Sequence, residues 1–296
     1  MQKDIAIIIP HKGLGDIIFH NFFIESIYKH HGKKIILFAN KSTKANLIYK
    51  QNKYIKKIIL IDLHRPKILF YLFKIINIYG LLNKFKYEKI YYTGNHKWHL
   101  IAIKILSNLN KIELSYLEDK KRFIIPSLKN YLKKLDIKYK LNFNINVKEN
   151  VSKNFVRKIA NNKKPWVFLS IDTSEDQIQI PKNLLIKMVN KLKNKSVYIN
   201  TNIKNSSKLS FLNKNNIIKT NLFNIIEIYY IIKRSELFIG NESGPAIISS
   251  ILKKKSIIFL NNNVLKESSK LPHINKRRYL TIKKISKKNN ILLDLI

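Results

Sequence analysis

Short apolar runs, polar turns and stretches of helical periodicity alternate along the chain. Residues 4–10, DIAIIIP, read as a buried strand, and a glycine-containing turn, HKGLGD, follows over 11–16. A helix is expected over 17–30, with Ile17, Ile18, Phe22, Ile24 and Ile27 as its apolar positions. Next come a strand over 34–39, a helix over 42–50 capped by Ser42 or Thr43, a strand over 57–62, a strand over 88–92 and a helix over 100–106. Elements in this order make parallel βαβ units with helices on both faces of a sheet. From 111 to 164 the periodicity weakens among lysine and asparagine runs, which places a domain boundary near 150. The pattern then restarts with a strand over 165–171, a helix over 181–192, strands over 196–200 and 217–219, and a helix over 223–233. A strand over 237–240, a helix from Pro245 and a strand over 256–260 complete the second series. The expected fold is α/β, with two Rossmann-like domains, 1–150 and 151–296, whose parallel sheets face a central cleft.

One stretch stands apart. Residues 68–82, ILFYLFKIINIYGLL, are the most apolar in the chain, but they carry Lys74, Asn77 and Gly80 and fall short of the ~20 residues a bilayer span needs. A core helix or a helix lying on a membrane surface fits them. The N-terminal apolar run is too short for a signal peptide, and the chain has no cysteine, so no disulfide framework and no thiolate metal site can form. Together these point to a cytoplasmic protein.

Charge changes the picture less than its size suggests. The formal net charge is +39, yet only Arg65, Arg122, Arg157, Arg234, Arg277 and Arg278 among the 57 basic residues are arginine, and the lysines are spread along the chain. Nucleic-acid readers gather basic groups on one face and use arginine for bidentate contacts, so this distribution argues against nucleic acid as the partner. It suits a solvated surface that also adsorbs to anionic lipid headgroups.

Four loops are expected at the carboxyl ends of strands, where open α/β sheets bind ligands. They are residues 12–16, 93–99, 172–177 and 241–244. The first is neither a dinucleotide fingerprint, lacking a third glycine, nor a Walker loop, lacking Gly-Lys-Ser/Thr. Asp16 at the mouth of its helix reads either as an N-cap or as a general base facing the cleft. The loop Thr93-Gly94-Asn95-His96-Lys97-Trp98-His99 gathers two histidines, a lysine and a tryptophan. In ELFIGNESGPAIISS, residues 236–250, a polar turn separates an apolar strand from an apolar helix with Pro245 in its first turn. Backbone N–H groups and the helix dipole converge there, so the turn reads either as a phosphate site or as a plain strand-to-helix turn capped by Ser243. No HExxH motif, no GxSxG elbow and no histidine set at metal-ligand spacing occurs, so no metal or cofactor is expected.

The order of these pieces resembles the heptosyltransferases of glycosyltransferase family 9, which build the lipopolysaccharide inner core. The N-terminal strand with GLGDIIFHNFFIESI is similar to the family's strand, Gly-Asp turn and helix, and RSELFIGNESGPAIISS is similar to its phosphate loop. KYEKIYYTGNHKWH sits where the family places acceptor-side residues. The resemblance implies a GT-B glycosyltransferase that transfers a sugar, heptose above all, without a metal. The donor would be a nucleoside-diphosphate sugar such as ADP-heptose, and the acceptor a lipid-linked glycan at the inner membrane face. It implies Asp16 as the base, with Gly15, His96, Lys97 and Trp98 on the acceptor side. Asn241, Glu242, Ser243, Gly244, Thr173 and Gln177 would lie on the donor side. Three departures accompany it: Glu242 stands for the family's aspartate, Ile247 for a frequent histidine, and no lysine precedes Pro181 where one usually holds donor phosphate. The departures leave a different donor, a substitute lysine or weakened activity open, and the alternative readings are a transferase using another nucleotide sugar for capsule or another surface glycan, or a degenerate relative that binds polyanions without catalysis.

Overall fold

The computed structural model describes residues 3–62, 80, 86–94, 97–118, 124–162, 165–171, 180, 182–201, 216–220, 222–260 and 277–281. The apolar stretch 68–82 falls outside them except for Gly80. The chain divides into two compact units, Met1–Val147 and Lys148–Ile296.

The first unit is a five-stranded parallel sheet in the order β3-β2-β1-β4-β5. Its strands are β1 (Asp4–Ile9), β2 (Ile35–Asn40), β3 (Ile55–Ile61), β4 (Tyr87–Tyr92) and β5 (Glu113–Tyr116). β1 and β2 are near-continuous apolar runs because helices cover both faces of the sheet, and every residue of β2 is buried. On one face Ala6 and Ile8 of β1 meet Ile36, Phe38, Ile90 and Tyr92, covered by Ile103 and Leu106 of helix α4 (Lys97–Leu109). The opposite face carries Tyr91, which meets Phe23 of α2 (Asn21–His31) edge-on at 6.2 Å. Phe23 also stacks on Tyr131 of α5 (Ile124–Lys134) at 5.5 Å. Burying each isoleucine of β1 is worth about 1.5–3 kcal/mol, so this strand anchors the unit.

The helix expected over 17–30 is two helices, α1 (Leu14–Phe19) and α2, broken at His20. The ring of His20 bonds back to the Asp16 carbonyl in the first turn of α1. Residues 42–50 likewise form a 3-10 turn over Lys41–Thr43 and the short α3 (Ala45–Ile48). Asn40 caps the turn by accepting from the Ser42 N–H, so neither Ser42 nor Thr43 does. The weakly periodic region holds β5, α5 and, beyond the break between units, α6 (Lys153–Ala160), where Ser152 accepts from the Phe155 N–H at 3.0 Å.

The second unit is a six-stranded parallel sheet in the order β11-β10-β9-β6-β7-β8. Its strands are β6 (Trp166–Ser170), β7 (Ser196–Asn200), β8 (Ile217–Lys219), β9 (Leu237–Asn241), β10 (Lys255–Leu260) and β11 (Arg277–Thr281). Helices α7 (Lys182–Lys191), α8 (Ile225–Arg234) and α9 (Gly244–Ile251) complete it among the described residues. Leu184, Leu185, Met188 and Val189 of α7 pack on Val167, Leu169, Val197, Ile199, Leu237 and Ile239. On the other face Phe168 and Phe238 stack at 5.8 Å. Asn224 and Glu227 form a reciprocal capping box that fixes the start of α8. β11 was not foreseen, because Arg277, Arg278 and Thr281 give it a polar signature.

Each sheet reverses its strand order once, between β1 and β4 in the first unit and between β6 and β9 in the second. At such a switch point the loops leaving two neighbouring strands diverge to opposite faces and leave a crevice at the carboxyl ends. Among the described residues, no helix is long and apolar enough to cross a membrane.

Candidate functional site

In the first unit the switch point brings the end of β1 beside the end of β4. The turn after β1 leads into α1, whose N-cap is Gly13, not Asp16. Asp16 stands in the first helical turn, and its carboxylate folds back to accept a hydrogen bond from the Gly13 backbone, the acidic half of a capping box. This corrects the cap reading of Asp16: the residue supports the helix start from inside. Its carboxyl is half-buried, and desolvation raises its pKa above 3.8, against the opposing influences of His11 and the Gly13 backbone.

Two histidines and one threonine are bonded together at this helix start. Thr93, the first residue after β4, is fully buried, and its N–H donates to the Ile8 carbonyl at 3.1 Å. His20 is fully buried, with Nδ1 at 2.7 Å from the Asp16 carbonyl and Nε2 at 2.9 Å from the Thr93 hydroxyl. A carbonyl only accepts, so Nδ1 carries the hydrogen. Burial drives the His20 pKa down to about 3, with His11 adding to the shift, so the ring is neutral and Nε2 accepts from Thr93. His11 donates from Nε2 to the Thr93 carbonyl at 3.1 Å and lies 5.4 Å from His20, ring centre to ring centre. Just after α3, the fully buried Tyr49 donates to the Ile17 carbonyl and, desolvated, stays a neutral phenol. The histidines that count here are therefore His11 and His20, which the sequence reading had passed over. The signal for His20 was its place four residues after Asp16, one helical turn on.

Of the residues expected on the acceptor side, Gly15 lies half-buried within α1 and Lys97 is exposed at the first position of α4. His96 and the side chain of Trp98 lie outside the described residues. Gly94 packs so closely on Pro10 and the Tyr92 ring that a Cβ would collide with both. The loops after β1 and β4 are thus in contact at their roots.

In the second unit the switch point carries residues 241–244. Asn241 is fully buried and donates to the Ile171 carbonyl at 2.7 Å, tying the end of β9 to the end of β6. Ser243 occupies the N-cap position of α9, but its side chain makes no cap bond. Its hydroxyl lies 3.4 Å from that of Ser170, so the expected serine cap bond is absent. Pro245 follows in the first turn, where its missing N–H costs nothing. Glu242, Ser243 and Gly244 are half-buried. Thr173 and Gln177 lie outside the described residues.

No protein-family model and no curated protein sequence matches the chain. Solved structures do match. A glycosyltransferase family 9 protein from Veillonella parvula superposes with a TM-score of 0.72 at 12% identity, over 99% of this chain and 90% of that one. The chain has the GT-B fold. Escherichia coli ADP-heptose lps heptosyltransferase II gives a TM-score of 0.68 at 11% identity, over 98% of each chain. The UDP-GlcNAc 2-epimerase of Methanocaldococcus jannaschii gives 0.59 at 15% identity, over 99% of this chain and 93% of that one. At such identities the GT-B scaffold is shared while the chemistry differs between neighbours, so activity has to be argued from the residues.

Proposed function

We propose that the protein is a glycosyltransferase that moves a sugar, heptose first among the candidates, from a nucleoside-diphosphate sugar to a lipopolysaccharide-type glycan. The observation that carries this reading is the carboxylate of Asp16, half-buried at the carboxyl end of the central strand and raised in pKa by its surroundings. A carboxylate so placed is a stronger base than one in water. It takes the proton of an acceptor hydroxyl as that oxygen attacks the anomeric carbon, and the bond from that carbon to the donor diphosphate breaks. The leaving nucleoside diphosphate is received at the N-terminus of α9, where the Ser243 hydroxyl and the Gly244 N–H face its negative charge. Glu242, itself an anion, suits hydroxyls of the donor sugar or ribose better than phosphate.

Among the structural neighbours, heptosyltransferase II is named for ADP-heptose and lipopolysaccharide, which supports a nucleotide-sugar donor and a glycan acceptor for this chain. The acceptor in this reading is lipid-linked, and the lysine-rich surface draws the protein to the anionic inner face of the plasma membrane at about 1 kcal/mol per well-placed lysine.

Thermal-shift measurements against ADP-, UDP-, GDP- and CMP-sugars identify the donor, since a ligand that binds only the folded state raises the midpoint. The donor is then incubated with and without a lipopolysaccharide-core acceptor. Nucleoside diphosphate released only with acceptor supports transfer. Isomerised sugar without acceptor overturns it in favour of epimerase chemistry, and no stabiliser together with salt-sensitive polyanion binding overturns it in favour of a non-catalytic relative.

A further inference from the structure

Helix α4 buries one side and leaves an apolar stripe on the other. Ala102, Ile103 and Leu106 turn inward, with Ile103 and Leu106 seated on the sheet, so the core beneath the helix is already filled. Ile101, Ile105 and Leu109 stand outside it, at 37%, 54% and 69% exposure. Side chains at i and i+4 share one face of a helix, so the three form a continuous stripe. Three of the five large apolar side chains exposed among the described residues thus lie on one helix face, a concentration that singly scattered surface residues do not give. Lys97 and Lys104, about two turns apart, and Lys111 just past the helix end are exposed beside it. Lys104 is held in place there, donating to the Tyr116 hydroxyl at 3.1 Å with its Nζ 4.3 Å from the centre of that ring. No aspartate or glutamate occurs from residue 97 to 112, so the face is apolar along its crest and purely cationic along its flank.

We propose that this face of α4 is a membrane-docking surface: Ile101, Ile105 and Leu109 enter the headgroup boundary of an anionic lipid layer while Lys97, Lys104 and Lys111 meet its phosphates. Charge complementarity selects this occupant. A second copy of the chain would set lysine against lysine, since a two-fold contact matches a patch with itself. A protein partner would be held by three apolar side chains, far less than the about 800 Å² that each side of a stable complex contributes. A lipid layer asks for less, because anionic headgroups attract the lysines and a few apolar side chains settle beneath them, each effect adding to the other. The formal net charge of +39 draws the chain toward any anionic surface, but that attraction has no address, and the stripe supplies one. The docking face rests on the proposed transfer for its purpose. α4 starts at Lys97, directly after the loop opened by Thr93, so docking brings the bilayer that holds a lipid-linked acceptor to the helix leading from the acceptor-side loop.

The test is flotation of the full chain with vesicles of phosphatidylcholine, alone or mixed with phosphatidylglycerol. The wild type is expected to float with the anionic vesicles. In the triple variant Ile101→Gln, Ile105→Gln, Leu109→Gln, which keeps every charge, the partition coefficient is expected to fall on the order of tenfold. An unchanged partition in that variant overturns the proposal, because adsorption is then a matter of charge alone. A wild type that floats with neither vesicle overturns it as well. Glutamine suits an exposed helix position, and the double variant Ile105→Gln, Leu109→Gln serves if the triple one does not fold. The chain has no cysteine, which allows a second readout from a polarity-sensitive dye on a single introduced thiol. On anionic vesicles the dye is expected to shift to the blue on Asn108→Cys, beside the stripe, and to stay unshifted on His30→Cys, exposed on α2 across the sheet. A dye that shifts at neither position, or equally at both, overturns the assignment of this face. A dimer in analytical ultracentrifugation that the triple variant abolishes, with vesicle binding unchanged, overturns it in favour of a second copy of the chain. The two proposals fail separately: vesicle binding through this face with no transfer from any donor removes the glycosyltransferase reading alone, and transfer to a soluble core acceptor by a chain indifferent to vesicles removes the docking face alone.

Discussion

His20 and Thr93, 73 positions apart in sequence, are joined by a buried hydrogen bond of 2.9 Å in which the neutral imidazole is the acceptor. With Nδ1–H committed to the Asp16 carbonyl, Nε2 accepts from the threonine hydroxyl; a second proton on the ring would reverse that bond, turning the hydroxyl to the Ile8 carbonyl 3.2 Å away, and would place a charge in a desolvated site. The native pKa lies at about 3 and the unfolded one near 6.5. Between those values the unfolded chain binds a proton that the native state does not, so stability falls as pH drops from about 6.5 toward 3. Urea unfolding at a series of pH values should show this loss, on the order of a few kcal/mol across the window. In His20→Gln the profile should be flatter across the same range, from a lower starting stability at neutral pH.

Asp16 carries the opposite sign. Its pKa is raised in the folded state, so its contribution to stability is fully present below 3.8 and lost as pH rises through the folded value. At neutral pH the ionised, partly desolvated carboxylate is therefore a cost to the fold. Asp16→Asn keeps an oxygen for the Gly13 N–H and drops the charge. Differential scanning calorimetry at pH 7 should show a higher melting temperature for the variant, the difference vanishing below pH 4, while sugar transfer falls by at least a hundredfold. A variant less stable than wild type at pH 7 would contradict this account of the site.

Gly13 is the residue that makes room for Asp16. An alanine Cβ there would stand 2.7 Å from Oδ2 and 3.3 Å from Cγ, closer than real contacts allow. The backbone at Gly13 is extended, φ −78° and ψ 140°, so alanine is tolerated by the main chain and the strain falls on the carboxylate. Gly13→Ala is expected to fold with a stability change of about 1 kcal/mol or less, because Asp16 can rotate toward solvent. Moving the base by an ångström is enough for a large loss of kcat, with donor affinity by calorimetry unchanged.

How far the chain could be read before folding follows from where its information is stored. The central strands were legible because parallel strands covered on both faces are written as unbroken apolar runs, as in Ile5 to Ile9. The break at His20 was not legible, since an apolar periodicity running through Phe19 and Phe22 looks the same in one helix or two. What separates them is a side chain bonding back to the Asp16 carbonyl, a contact without a sequence period. The asparagine-rich region 138–147 failed for a related reason. It is held in place by polar bonds: buried Asn21 donates to the carbonyls of Asn142 and Asn144, and Asn142 donates to Glu25 at 2.8 Å. Phe143 then settles against Phe19 and Phe22. The strand-end turns that carry Asp16 and residues 241–244 were legible because glycine, proline and small polar residues have local conformational causes. The groups that act on Asp16, His11 and the Gly13 backbone, lie within five residues of it, but the burial that raises its pKa is made by the folded surroundings and has no local signal.

The second switch point is tightest where Gly240 of β9 lies beside Ser170 of β6. A Cβ at Gly240 would overlap the Ser170 carbonyl oxygen and stand 2.8 Å from the Ser170 Cβ, and a backbone atom cannot rotate away as a flexible side chain can. Gly240→Ala must therefore push the two strands apart at the ends that carry the Asn241–Ile171 bond and the Ser170–Ser243 contact. The expected cost is about 1–3 kcal/mol, in the range of an overpacked core. Ser243→Ala, in contrast, removes one hydroxyl that caps nothing, and should leave the melting temperature within a degree or two of wild type. If this turn receives the donor diphosphate, both variants lose affinity for ADP or the matching nucleoside diphosphate in calorimetry, though only Gly240→Ala loses stability. Unchanged affinity in both would remove the turn from the donor site and leave Gly240 with a packing role alone.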